Sequence, residues 1–403
     1  MKNRRTGSAF LLTLAVLAGL VAIVAGMATV RRERSKAEWN RMLELRAKLA
    51  ADAGIQRAVA ELQSLDKVKT LKTDSWYTIG EDGGMQFVVA DDTFRLQVLD
   101  TGSQININTV DQPGLKALNL SDDQVQSLLD WRESTVTPAR PEGAKDDYYN
   151  TLTQPYNTKL NNLASVDELL QVKGFNPSTL YGSVSALPGS PTLANLLCTD
   201  SVSADSDPNG DQKQDVNSAT EAQLDSAGIP DGISQAIVYS EGSYTKMGDV
   251  LNVFGMTKDA AKDLLNYFTI GSTQDKAGLI NVNTASEAVL STIPGFTPDI
   301  VSAIIDRQKT GFVGLGDLMD VPGLEIPTIS PVIDRFCTTS RSFTVRVMGT
   351  AGVARYAEEA NLTVDDKGAV HITRVQPVTF RNPRQRWNWP EVTTDRVVVG
   401  VPW

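Results

Sequence analysis

From Ser8 to Val30 the chain reads SAFLLTLAVLAGLVAIVAGMATV, 23 residues without a charge. As a helix this segment reaches about 35 Å, enough to cross the hydrocarbon core of a bilayer. Lys2, Arg4 and Arg5 precede it, while Arg31, Arg32 and Arg34 follow. The leading cations hold the amino terminus in the cytoplasm and send the rest across the membrane, although the second cluster weakens that orientation. A cleavable secretory signal has the same basic start and apolar run. Against it, the run is long, and neither a turn nor a small-x-small site ends it before Arg31. Residues 31–65 continue without proline. Met42, Leu45 and Leu49 recur at helical spacing, and Ile55, Val59 and Leu62 resume the pattern one step later. The expectation is one helix with a transmembrane half, 8–30, and an amphipathic half, 31–65.

Composition removes several chemistries. The 403 residues include one His and two Cys, so neither a His-rich metal site nor a four-ligand zinc site can be assembled. A Ser-His-Asp or Cys-His mechanism would have to pass through His371, which sits in an alternating stretch and reads as a strand residue. No catalytic constellation follows, and no enzyme is expected; a hydrolase on a membrane stalk is the weakest alternative. The formal charge of −10 opposes a general affinity for nucleic acid or anionic lipid.

Beyond the helix, residues 74–104 and 342–377 alternate apolar and polar residues and read as strands. Between them a pattern repeats. Ile105-Asn106-Ile107-Asn108-Thr109, Asp215-Val216-Asn217-Ser218-Ala219 and Ile280-Asn281-Val282-Asn283-Thr284 each open a unit. Val172-Lys173-Gly174-Phe175, Val253-Phe254-Gly255-Met256 and Val321-Pro322-Gly323-Leu324 answer them downstream. Three helical units are expected, at 105–200 with an insertion at 133–162, at 201–273 and at 274–340, followed by a tail at 378–403. The fold class is α+β: a long amino-terminal helix packed on a small antiparallel sheet, with a large all-α insertion.

The Asn-x-Asn openings and the V-x-G-apolar turns resemble helix-hairpin-helix domains, which often bind DNA. Binding of that kind uses a Gly-apolar-Gly hairpin with Lys or Arg nearby. Here Asn176, Thr257, Thr297 and Glu325 stand where the second Gly would be. Residues 215–270 hold three Lys against eight acidic residues, and 280–340 hold three basic against seven acidic. DNA is therefore an unfavoured partner.

The amino terminus resembles a type IV pilin or pseudopilin: a basic leader, 1–7, ends in Gly7, and the apolar helix starts at Ser8, where prepilin peptidases cut. The fifth residue after that bond, usually Glu in such proteins, is Leu12. Asp130-Trp131 and Gly143-Ala144-Lys145-Asp146-Asp147-Tyr148 resemble signatures of the K-type minor pseudopilin of type II secretion, the GspK family, with Lys145 in place of Glu. The resemblance implies an inner-membrane protein with a large periplasmic head at the tip of a pseudopilus. Its implied partners are other minor pseudopilins, the major pseudopilin and the prepilin peptidase. A membrane-anchored DNA receptor of an uptake system is the alternative.

Two features stay open. Asp205, Asp207, Asn209, Asp211 and Asp215 follow the first half of an EF-hand calcium loop with Gly210 at its sixth place, but Val216 stands where a bidentate Glu belongs. A solvated linker explains the composition equally well, while the K-type resemblance implies structural calcium. No other cofactor is expected. Cys198 and Cys337 end the first and third units and are expected to form a disulfide in an oxidising compartment; two buried thiols are the alternative.

Overall fold

The computed structural model describes residues 6–135, 139–182, 191–240, 242–271, 275–392 and 397–398, without the side chains of 6–9, 397 and 398. Most of the basic leader lies outside them. One helix, α1 (Thr6–Leu62), runs for 57 residues. Its large apolar side chains from Phe10 to Val30 are exposed, the arrangement a lipid-facing segment requires.

The second half of α1 lies on a six-stranded sheet built from β1 (Gln86–Val89), β2 (Asp92–Asp100), β3 (Ser342–Ala351), β4 (Ala354–Val364), β5 (Val370–Pro377) and β6 (Val397–Val398). The order is β5-β4-β3-β2-β1-β6. All neighbours are antiparallel except β1 and β6, which run parallel. The tail thus supplies an edge strand, and the sheet is not purely antiparallel as expected from residues 74–104 and 342–377 alone.

The contact face of α1 differs from the one its large apolar residues suggest. Met42, Leu45 and Leu49 are exposed, together with Trp39, whereas Leu43, Ala47, Ala50, Ala51, Ile55, Ala58 and Leu62 are buried. Small residues face the sheet because the backbones nearly touch. A methyl group added to Gly349 of β3 would lie 1.9 Å from the Ala47 carbonyl oxygen, and one added to Gly54 would lie 2.6 Å from Val347 Cγ1. Around this seam Trp76, Phe87, Phe94, Leu96, Phe343 and Val345 complete the frame's core. Arg46 adds a bidentate bond to Asp92 at 2.8 and 2.9 Å, tying α1 to the start of β2.

Residues between β2 and β3 form the head. A single continuous apolar cluster runs from Ile105 to Phe336 through all three units, so the units share one interior. Each closes on itself by a short parallel strand pair: Ile105–Asn106 with Leu197–Cys198, Gln214–Asp215 with Phe268–Thr269, and Ile280–Asn281 with Phe336–Cys337. The second and third units also cap each other. Asp334 accepts from Met247 N and Gly248 N at 2.8 and 3.2 Å, while Asn266 Oδ1 accepts from Gly316 N at 2.9 Å.

Replacing Gly349 with Ala should cost about 1–3 kcal/mol by overpacking the seam, read as a lower urea midpoint of the detergent-solubilised chain. The exposed change Leu45→Ala should move it by less than about 0.5 kcal/mol.

Candidate functional site: anchor, clasps and joint

The repeated Asn-x-Asn opening is a clasp. In the third unit the Asn281 side chain first turns the backbone by accepting from Asn283 N at 3.0 Å. Asn283, fully buried, then donates to Phe312 O at 2.9 Å and Thr338 O at 3.0 Å and accepts from Phe312 N at 2.7 Å. One side chain thereby joins the start, middle and end of the unit. Asn108 does the same in the first unit, donating to Leu163 O and Thr199 O and accepting from Leu163 N. In the second unit Asn217 exchanges both bonds with Tyr244, and Asp215 replaces the first Asn, accepting from Gly271 N at 3.1 Å.

Frame and head meet at Asp100, the last residue of β2. Its carboxylate accepts from Gly102 N at 2.7 Å, from Asn281 Nδ2 at 3.1 Å and from the Thr284 hydroxyl. Complete burial raises its pKa, and the hydrogen bonds from Thr284, Ser340, Gly102 and Asn281 oppose that shift. Beside it, Thr70 N donates to Thr338 O and Ser340 N to Thr70 Oγ1. The end of the third unit is thus tied to the loop that follows α1.

In the first unit the two signature segments pack together. Asp130, fully buried, accepts from Arg140 N at 3.0 Å and from the Arg140 guanidinium. Trp131 donates to Glu168 at 3.0 Å and packs edge-on against Tyr149, with ring centroids 5.2 Å apart. Lys145 reaches Glu133 at 3.1 Å and Thr135 O at 2.9 Å. The cation at this unusual position therefore has an acidic partner within the insertion.

The calcium-like residues are not gathered. Asp205 turns inward, its carboxylate 3.1 Å from Lys213 Nζ and 2.5 Å from Lys276 Nζ. Asp207 accepts from Asn209 N and Asp211 N of its own loop at 2.8 and 2.9 Å. Asp215 serves the clasp, and Asn209 and Asp211 lie on an exposed turn. Among the described residues no three His, Cys, Asp or Glu side chains come together as a metal group. These donors do not fit a calcium ion in this conformation.

Cys198 and Cys337 are separate buried thiols, which corrects the expected disulfide. The repeat places them at equivalent positions, each in the closing strand pair of its own unit. Burial raises both pKa values. His371 lies in exposed β5, 3.2 Å from Asp365. Gly7 and Ser8 lie on the backbone of α1, but their side chains are not described.

At three of the four hairpins the residue standing in place of a second Gly caps the next helix: Asn176 accepts from Ser178 N and Thr179 N, Thr257 from Ala260 N and Thr297 from Ile300 N. Glu325, at the fourth, makes no side-chain cap bond. The capped amides at these three hairpins are already held by a side chain of the protein itself.

Sequence reasoning missed the tail's role. Trp387 and Trp389 are buried beside Met348 on the sheet face opposite α1. Trp389 donates to Gln97 at 2.9 Å and Trp387 to Glu359 at 3.2 Å. Arg386 bonds Asp167 of the first unit at 2.7 Å and stacks on Tyr181 and Phe380, clipping the head to the frame. The aromatic and cationic mixture in the sequence was the available signal.

Residues 114–188 match the family described as Type II secretion system (T2SS), protein K. Over this stretch the chain is similar to type II secretion protein K. The Asp130–Trp131 and Gly143–Tyr148 segments fall inside this K-type match. Residues 275–335, essentially the third unit, match the helix-hairpin-helix motif. Over 214 residues the chain is 26% identical to type II secretion system protein K of Pectobacterium carotovorum subsp. carotovorum, covering 45% of this chain and 61% of that protein. The match thus spans about three fifths of the curated relative. A solved structure, the GspK-GspI-GspJ complex from enterotoxigenic Escherichia coli, covers 87% of this chain and 100% of the other, with 12% identity and a TM-score of 0.42.

One titratable group lies in the seam between α1 and the sheet. Glu358 of β4 is 1% exposed, and its Oε1 has no hydrogen-bond partner among the described residues. Burial first, and then Asp52 on α1, push its pKa up to about 7, against the pull of Lys48. Because the folded value lies above that of an ordinary Glu, the associated stability is complete at low pH and is lost as pH rises through about 7. The melting temperature should fall between about pH 5 and pH 8, and Glu358→Gln should flatten that slope.

Proposed function

We propose that the chain is a minor pseudopilin of the K type, anchored in the inner membrane by α1 with its head in the periplasm. There it would start and cap a type II secretion pseudopilus by assembly, without catalysis. The observation that carries this reading is a protein K domain, residues 114–188, on a chain whose described residues include one amino-terminal helix long and apolar enough to cross a membrane.

Three features support the assignment of roles. Trp39, Met42, Leu45 and Leu49 leave an apolar stripe exposed on α1 just beyond the membrane segment, suited to the helices of the other minor pseudopilins and the major pseudopilin. Leu12 stands where pilin-like subunits usually carry the Glu that meets a preceding subunit's amine, so this subunit would not need one above it. The three-unit head sits over the frame as a body too large to admit another subunit. Gly7–Ser8 is the bond a prepilin peptidase would cut.

Amino-terminal sequencing of the membrane-bound protein, co-expressed with a prepilin peptidase, tests this. A start at Ser8 is expected, whereas an intact Met1 or a cut near Arg31 contradicts the pseudopilin assignment. Tight duplex binding by the chain at physiological salt would instead favour the DNA receptor suggested by the hairpin motif.

A further inference from the structure

Asp205 opens the calcium-like pattern at the place where three parts of the head converge. Val202–Ala204, just before it, pairs antiparallel with Asp275–Ala277, the strand leading into the third unit. Thr269, from the closing strand of the second unit, donates its hydroxyl to Asp205 Oδ2. Thr339, at the end of the third unit, donates to Ala204 O at 2.7 Å.

Two lysines from different segments meet at this carboxylate. Lys213 Nζ lies 3.1 Å from Oδ1 and also donates to Leu265 O at 2.9 Å, with only 3% of its side chain exposed. Lys276 Nζ lies 2.5 Å from Oδ2 and also donates to Thr269. Together they bring two unit charges, the formal charge of a divalent ion. A calcium loop works by drawing several oxygen ligands around one ion. Here a single carboxylate is met by ammonium groups, while Asp207 and Asp215 are committed to backbone amides.

We propose that Lys213 and Lys276 take, at Asp205, the place of a divalent cation, so that this carboxylate is compensated from within the chain and the joint does not depend on calcium. A metal entering here would have to displace a buried ammonium from its carboxylate, and that ammonium would then lie uncompensated in the interior. The ionisation of Asp205 agrees with the geometry. Burial alone would raise its pKa, but Lys213, Lys276 and the Thr269 hydroxyl bring it down to about 2.

Thermal melting of the full chain in detergent tests the proposal. The wild-type melting temperature should be the same with chelator and with calcium at about 1 mM, a level at which extracellular calcium modules load. Lys213→Met should lower it by about 5 °C or more, because a buried charge loses a partner. Asp205→Asn combined with Lys213→Met should cost clearly less than the two single changes added together. A calcium-dependent rise in the wild type that disappears in Asp205→Asn would overturn the proposal, and so would strict additivity of the two substitutions. The calcium comparison needs only the wild type and Asp205→Asn, so it decides the question even if Lys213→Met fails to fold.

Discussion

The backbone of Gly349 lies so close to α1 that no side chain fits between them, and the rest of the structure follows from that contact. It requires Ala47, Ala50, Ala51, Gly54 and Ala58 on the helix face that meets the sheet. Along this stretch Trp39, Met42, Leu45 and Leu49 face away from the chain's own core, while Leu43, Ile55 and Leu62 pack beside the small residues. Close small-residue packing favours a rigid attachment because little can be repacked at such a contact. The head is joined to this frame through Asp100 on one side and Arg386 on the other.

Duplication explains the size of the head. Each unit closes by a parallel strand pair and an Asn clasp, and the copies differ where a neighbour contributes. The first carries an insertion, whose Tyr149 and Tyr156 form an aromatic cluster with Trp131 just before it. The second exchanges helix caps with the third. One shared interior then makes the three units a single body.

Much of this was legible in the sequence. The anchor, the two groups of strands and the three units were marked by charge-free length, alternation and repeated Asn-x-Asn and V-x-G motifs, all of them local signals. The face of α1 was legible only in part: Ile55, Val59 and Leu62 do meet the core, but Met42, Leu45 and Leu49 do not, because there the sheet is met by Ala47, Ala50 and Ala51, which carry little hydrophobic signal. The ion pairs of Asp205 were hidden for a different reason: its partner Lys276 lies 71 positions away, beyond the reach of any local pattern. Cys198 and Cys337 looked like partners because they occupy equivalent places in the repeat, but each closes its own unit. The burial of Trp387 and Trp389 depends on a sheet face that only the assembled frame presents.

The central claim is that α1 uses one face for its own sheet and keeps the other for neighbouring pilin-like helices. Site-specific photo-crosslinking in cells that assemble the secretion fibre tests it most directly, with the photoreactive residue at Leu45 in one strain and at Val59 in another. The account predicts adducts between Leu45 and another pilin-like subunit, and none of that kind from Val59, which packs against the frame's core. Adducts to other subunits from Val59, with Leu45 silent, would contradict it.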